Sequence, residues 1–463
     1  MLTRFAGSNI LLLVLFVSFP SICRGQIGPT STPVRDLGAG RSGEDWPAFL
    51  GPRGDGKSAE TGIITNWQDD GLRVLWHRRL QESYGICSVS HGRVFQFDRQ
   101  NDKGTLLCLE SQTGNELWRY TYDYDYRDLY GYHGGPRTSP LVDGDRVYLF
   151  GVDGSLICVG VADGKEIWKV DTHGQFGVVQ NFFGVGSNPV IADDLIIVMV
   201  GGSPAESHRV PPSRLDWVVG NGSGIVAFNK LNGKVVYQIT DELASYASLK
   251  LTHHAGRPRC FAFLRGGLTA FDPRVGKIDF QFPWRADVLE SVNASMPVVF
   301  DGKVFISETY GPGSALLRFK SSGFEIVWKD KHPSRTKAMQ THWNTAIFHN
   351  GYLYGSSGRH MSNAQLRCIE ANSGKVMWSE AGLTRSSLLY VDGHFVCLSE
   401  DGVLRLLKAD PSKYTEVSRI LLVGEENRRL LRAPAWAAPV LSHGLLYVRG
   451  DDRLVCTELI RPR

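Results

Sequence analysis

The stretch QLRCIEANSGKVMW at residues 365–378 reads as strand, turn and strand: an apolar run with polar partners, the turn letters Ala-Asn-Ser-Gly-Lys, then Val-Met-Trp. Five altered copies follow the same plan: LLCLESQTGNELW (106–118), LICVGVADGKEIW (156–168), IVAFNKLNGKVVY (225–237), LTAFDPRVGKIDF (268–280) and LLRFKSSGFEIVW (316–328). A hairpin repeated at this spacing prescribes an architecture, because such a unit buries its apolar face only against a neighbouring copy.

Between the hairpins lie two-strand meanders with a turn in the middle, as in SPLVDGDRVYLFG from 139, MPVVFDGKVFIS from 296 and APVLSHGLLYVRG from 438. Meander plus hairpin makes four strands, the content of a β-propeller blade. The closing aromatics Trp76, Trp118, Trp168, Tyr237, Phe280, Trp328 and Trp378 recur at roughly blade-length intervals of 42–50 residues, with one long gap that places an insertion near 203–222. Units starting near 85, 138, 187, 252, 295, 345, 386 and 437 give eight blades. The last has three strands and no closer, whereas RVLWHRRL (73–80) is a closing strand without a blade. Pairing the two seals the ring, so the expected fold is all-β: an eight-bladed propeller closed by its N-terminal strand in the C-terminal blade. Trp76, Trp118, Trp168, Trp328 and Trp378 are read as structural, each covering apolar area between blades.

Composition agrees where it bears on this. Hydrophobic residues make up 42% of the 463, and the 51 glycines cluster with Asp, Asn and Ser where short strands turn. The formal charge of +4, with no concentrated basic face, excludes a general nucleic-acid binder. Cys108, Cys158, Cys368 and Cys456 share one repeat position with Ala227 and Ala270, which marks them as small core side chains. No CxxC, adjacent pair or Cys/His spacing points to zinc or redox chemistry.

Residues 1–25 (Arg4, an apolar run from Ile10 to Phe19, then small residues) are similar to a signal peptide, giving an expected secreted or periplasmic location. The run is short for a bilayer span, and Pro20, Ser21 and Ile22 before Cys23 lack the small residue that lipidation wants. Residues 26–44 read as a flexible linker and 45–463 as the propeller domain. WPAFLGPRGDGKSAETGIITNW (46–67) has turn residues and large anchors, and is expected to lie across the domain as a cover.

The hairpin pattern, apolar-x-Ala/Cys-apolar, four residues, Gly-Lys-x-x-Trp, resembles the PQQ-like repeat shared by quinoprotein dehydrogenases and the non-catalytic assembly lipoprotein BamB. The likeness runs from about Trp46 to the C-terminus. It implies two possible roles. Enzymes of this kind hold pyrroloquinoline quinone (PQQ) on the axis between a vicinal Cys-Cys disulfide and a Trp, with a Ca²⁺ ion and an Asp base. This chain has no adjacent cysteines, so no catalytic residue and no metal ligand is assigned, and no cofactor is expected, with PQQ and Ca²⁺ as the alternative. The leading reading is a monomeric, exported, non-catalytic scaffold for a protein or envelope partner. A PQQ-dependent alcohol or sugar dehydrogenase and a carbohydrate-binding propeller are the alternatives.

Segments entering the innermost strands crowd the central channel, which is where a ligand site is expected. The candidates are Tyr84, His133, Arg137, Asn181, Asn188, Asn293, His342, Trp343, Asn344, Arg385 and Trp436, with His342 and Trp343 the best pair: a donor beside a stacking face. A second candidate is YTYDYDYRDLYGY (120–132), where Tyr124, Tyr126 and Tyr130 would form an interaction loop. The competing reading of that stretch is an outer strand continued outward.

Overall fold

The computed structural model describes residues 1–2, 34–38, 40–67, 71–331, 334 and 336–462. The chain divides into two units, Met1–Thr30 and Ser31–Arg463. The expected leader lies outside the described residues apart from Met1 and Leu2, and everything below concerns the second unit.

Among the described residues, eight four-stranded antiparallel sheets account for every strand. Blades 1 to 7 span 88–123, 141–171, 190–239, 250–283, 298–329, 347–381 and 386–420, each running in order from an inner to an outer strand. Blade 8 takes Val440–Ser442, Leu445–Arg449 and Arg453–Glu458 from one end of the chain and Val74–Arg79 from the other. Trp76 stands opposite Cys456 and His77 opposite Val455, so the ring is clasped as the sequence predicts.

The hairpin motif acquires a physical meaning at the seams between blades. Cys108 pairs with Trp118, Cys158 with Trp168, Cys368 with Trp378, Ala227 with Tyr237 and Ala270 with Phe280. A β-bulge follows at once in each case, turning the aromatic toward the next blade. There the indole N–H finds a carbonyl in the following blade's hairpin turn: Trp118 to Val161 (3.1 Å), Trp168 to Lys230 (3.0 Å), Trp328 to Ala371 (2.9 Å) and Trp76 to Ser111 (2.9 Å). The turn glycine lies under the ring. At Gly164 (φ +68°) an added Cβ would meet Trp118 Cε3 at 2.4 Å, which is why Gly precedes Lys in the repeat. Blade 7 has Ser418 at the aromatic position, and the cover segment compensates: Trp67 is buried there, its backbone N–H donating to Ser418 Oγ. The seven cysteines from Cys87 to Cys456 are all buried and unbridged.

The long gap is an insertion in blade 3, built of two 3₁₀ turns, Ala205–Arg209 and Pro212–Trp217. Contacts with the propeller begin before Asp45: Leu37 N–H donates to the His91 carbonyl, and Arg41 pairs with Glu458 at 2.7 Å. Among the described residues no helix is long and apolar enough to cross a membrane.

Candidate functional site

The segment at 46–58 closes one end of the central channel. Trp46 exchanges two 2.8 Å backbone hydrogen bonds with Val89, Val142 N–H donates to the Pro47 carbonyl, and Tyr390 and Ser58 complete a pair of 2.9 Å bonds across Gly56 and Tyr390. Lys250 Nζ donates to the carbonyls of Arg53 (2.8 Å) and Gly54 (2.5 Å). These partners belong to the innermost strands of blades 1, 2, 7 and 4, so the segment is a strap across the axis. Its shape comes from LGPRGDG: Leu50 (φ 58°) and Gly51 (φ 87°) reverse the chain, and Asp55 and Gly56 N–H both return to the Leu50 carbonyl. Burial pulls the Lys250 ammonium down to about 8 from its ordinary 10.5.

Above the strap is a cavity of about 470 Å³ whose lining includes Phe49 and Leu50. The segments that precede the innermost strands supply most of the rest, and because all these strands run away from those segments, they meet at the end opposite the strap. Of the residues singled out in the sequence, Tyr84, Arg137, Asn188, His342, Trp343, Asn344, Arg385 and Trp436 line this cavity, and so does Tyr130. His133 stands behind the wall, stacked on Tyr84 at 3.9 Å. Asn293 is 1% exposed and bonds the Leu264 and Trp284 carbonyls, while Asn181 bonds the Ala244 carbonyl; neither is in the lining.

The wall is an aromatic belt. Tyr310, His342, Trp343 and Trp436 follow one another with ring centroids 5.8, 5.1 and 4.9 Å apart. Trp436 continues to Tyr84 at 5.0 Å and to Tyr132 at 6.1 Å, Tyr132 to Phe183 at 5.6 Å, and Phe183 to Tyr246 at 5.3 Å. Arginines back several of these rings: Arg385 lies 4.3 Å from Trp343, Arg137 5.5 Å from Tyr84 and Arg359 4.3 Å from Tyr310.

Buried carboxylates hold two of the three arginines. Arg385 Nε donates to Glu400 at 2.8 Å, its Nη2 takes the other oxygen, and Glu400 also accepts the Trp436 indole N–H at 2.7 Å. Arg137 donates to Asp128 at 2.7 Å, and Asp128 is 1% exposed. The same carboxylate accepts the Tyr130 and Tyr132 backbone N–H groups and the Tyr126 hydroxyl, so it organises the tyrosine stretch from inside.

That stretch divides in two. Tyr120 and Tyr122 belong to the outer strand Glu116–Asp123 of blade 1. Tyr126 is 4% exposed and Tyr124 donates to the Gly134 carbonyl, so both face inward; Tyr130, at 50% exposed, and Tyr132, at 45%, reach the open rim.

Electrostatics keep the belt neutral. Burial, reinforced by Arg385 and Arg359, pushes the His342 imidazole down to about 3, and burial with Arg137 pushes His133 to about 4. Burial raises the Tyr84 and Tyr310 phenols to about 12. The lining contains one carboxylate, Glu290, exposed at the rim. Among the described residues no cluster of three His, Cys, Asp or Glu could hold a metal ion.

Sequence reasoning missed Phe49, Leu50, Phe183, Tyr246, Tyr310 and Arg359. Tyr310 and Arg359 lie between the second and third strands of blades 5 and 6, so a search confined to the approaches to innermost strands passes them over. Phe183 was within reach, in the NFFGVGSNP segment that carries Asn188.

A family model described as "Outer membrane protein assembly factor BamB", PQQ_2, matches residues 60–205 and 102–344. The chain belongs to this PQQ-like propeller family. A PQQ-like relative, the outer membrane protein assembly factor BamB of Shewanella oneidensis, is 25% identical over 134 residues, covering 28% of this chain and 31% of that protein. The chain thus spans about a third of that relative's length. Among solved PQQ-like structures, BamB from Moraxella catarrhalis is similar with a TM-score of 0.56 at 14% identity, covering 84% of this chain and 97% of that one. Quinohemoprotein alcohol dehydrogenase from Comamonas testosteroni is similar with a TM-score of 0.62 at 13% identity, covering 90% and 81%. At these identities the likeness concerns the fold.

Proposed function

We propose that this chain is an exported, non-catalytic propeller of the cell envelope that serves a protein partner, met at the open end of its channel. The observation that carries this reading is the make-up of the axial cavity: aromatic walls, Arg137 and Arg385 each paired with a buried carboxylate, and a single carboxylate at the rim. A quinone cofactor with Ca²⁺ fits these residues poorly. A hard cation wants several oxygen ligands, carboxylates above all, whereas the lining offers Glu290 as its one carboxylate, and the cysteines are separate and buried in the blades. The match to the BamB family supports a partner within the envelope, and the leader-like sequence of residues 1–25 supports export. The open rim provides suitable contact chemistry: Tyr130, Tyr132, Trp217 and Val219 are all exposed, and the insertion bearing Trp217 packs through Leu215 and Val218 against Phe183 and Tyr246.

The deciding experiment adds PQQ and Ca²⁺ to the purified protein and follows quinone absorbance and dye reduction with alcohols and aldose sugars. The proposal expects neither stoichiometric uptake nor turnover, and both together would replace it with a dehydrogenase. Photocrosslinking from position 132 in cells should capture a discrete envelope protein; crosslinks from an outer-strand position such as Leu117 alone would move the contact away from the rim.

A further inference from the structure

The interior of the axial cavity is mostly ring faces, and the buried His342 Nδ1 among them has no hydrogen-bond partner. Most of its other polar side chains are engaged with protein: Asn188 bonds Ser139 and Ser248, Asn344 bonds His342 and Ser356, and Ser387 and the Trp343 indole N–H both donate to the Trp436 carbonyl. A sugar needs several free donors and acceptors along its hydroxyls, and here most are consumed. A cation finds ring faces of the belt already taken by Arg385, Arg137 and Arg359. An anion within the interior meets Arg385 and Arg137, whose donors are spent on Glu400, Asp128 and backbone carbonyls, while Arg359 is exposed. What remains complementary is an uncharged planar ring, and a cavity of about 470 Å³ has room for one or two.

We infer that the cavity is a receptor site for an uncharged aromatic group, which enters from the end opposite the strap and packs against Trp343, Trp436 and Tyr84. Two sources carry that chemistry: an aromatic side chain of a partner protein, and a free aromatic small molecule. The inference rests on the same cavity as the proposed function but not on the absence of catalysis. The quinone assay and the ring-binding assay therefore fail independently.

The test titrates the full-length mature protein by calorimetry and by ligand-detected NMR with indole, with N-acetyl-tryptophanamide and tryptophan-containing peptides, and with glucose, tetramethylammonium and acetate. The expected result is saturable one-to-one binding of indole, with the other three weaker by at least about tenfold. Ala294→Phe and Ala438→Phe, which place a ring in the cavity from two separate segments, should each weaken indole by at least about tenfold while Tm and circular dichroism stay close to those of the parent. Leu117→Ala, exposed on the outer strand of blade 1, should leave it unchanged. Peptide binding tighter than indole assigns the site to a partner chain, whereas indole binding with the peptides excluded assigns it to a small molecule. No saturation by any aromatic probe, tighter binding of glucose or tetramethylammonium, or indifference to both cavity-filling variants would overturn the inference.

Discussion

Lys250→Met tests whether the strap is held as described. In the folded chain burial lowers the Lys250 ammonium from 10.5 to about 8, which corresponds to roughly 3 kcal/mol of disfavoured charge. The folded value lies below the unfolded one, so between them the unfolded state binds more protons and stability rises with pH. The cost of the buried charge is therefore fully present below pH 8 and relieved as pH climbs toward 10.5. Methionine removes this dependence along with the donors to the Arg53 and Gly54 carbonyls. Urea unfolding of parent and variant at intervals from pH 7 to pH 10.5 isolates the effect, because tyrosine titration is common to both and cancels. The expected outcome is a parent that gains on the variant by about 2–3 kcal/mol across that window. Parallel profiles would mean that Nζ is solvated, and would refute the closed strap.

Two further tests address the seams and the clasp. Gly164→Ala, where Cβ would come within 2.4 Å of the Trp118 ring at φ +68°, should cost at least about 2 kcal/mol in urea unfolding; Gly144→Ala, with φ +57° and nothing within 4 Å, should cost only the left-handed backbone, about 1 kcal/mol. His443 has its imidazole pKa raised above 6.5 by the Asp45 hydrogen bond, so the stability it contributes is complete below pH 6.5 and lost as pH rises through its higher folded value. His443→Asn should therefore lag the parent by about 1 kcal/mol at pH 5.5 in urea unfolding and converge with it by pH 9.

The fold was legible because the repeat encodes a local contact. Glycine, a small residue and an aromatic recur at fixed spacing since the bulged strand, the ring and the next blade's turn must meet, and the pattern survives as Tyr237 and Phe280. The clasp was legible for a related reason: a closing strand without a blade and a blade without a closing strand are both visible in the letters. The site was legible only where its residues enter innermost strands. Tyr310 and Arg359 come from loops on the far side of a strand, and Phe49 reaches the axis through the strap, so no linear spacing ties them to Trp343. Tyr124 and Tyr126 show the opposite failure. The alternation of Tyr with Asp suggested an outward loop, but Asp128 and Arg137 form a buried pair that draws the first half of the loop inward.

The clasp in blade 8 also bears on how such a chain comes into being. The strand Val74–Arg79 is synthesised before any blade, and its partner Arg453–Glu458 is synthesised after all the others. Until the last strands emerge, the first one has its destination still unbuilt, and Trp76 has no Cys456 opposite it. Blades can stack in order as they appear, yet the molecule has no finished perimeter until its two extremities meet. Loss of the final strand would therefore release the opening strand Val74–Arg79, while the strap keeps its partners in blades 1, 2, 4 and 7.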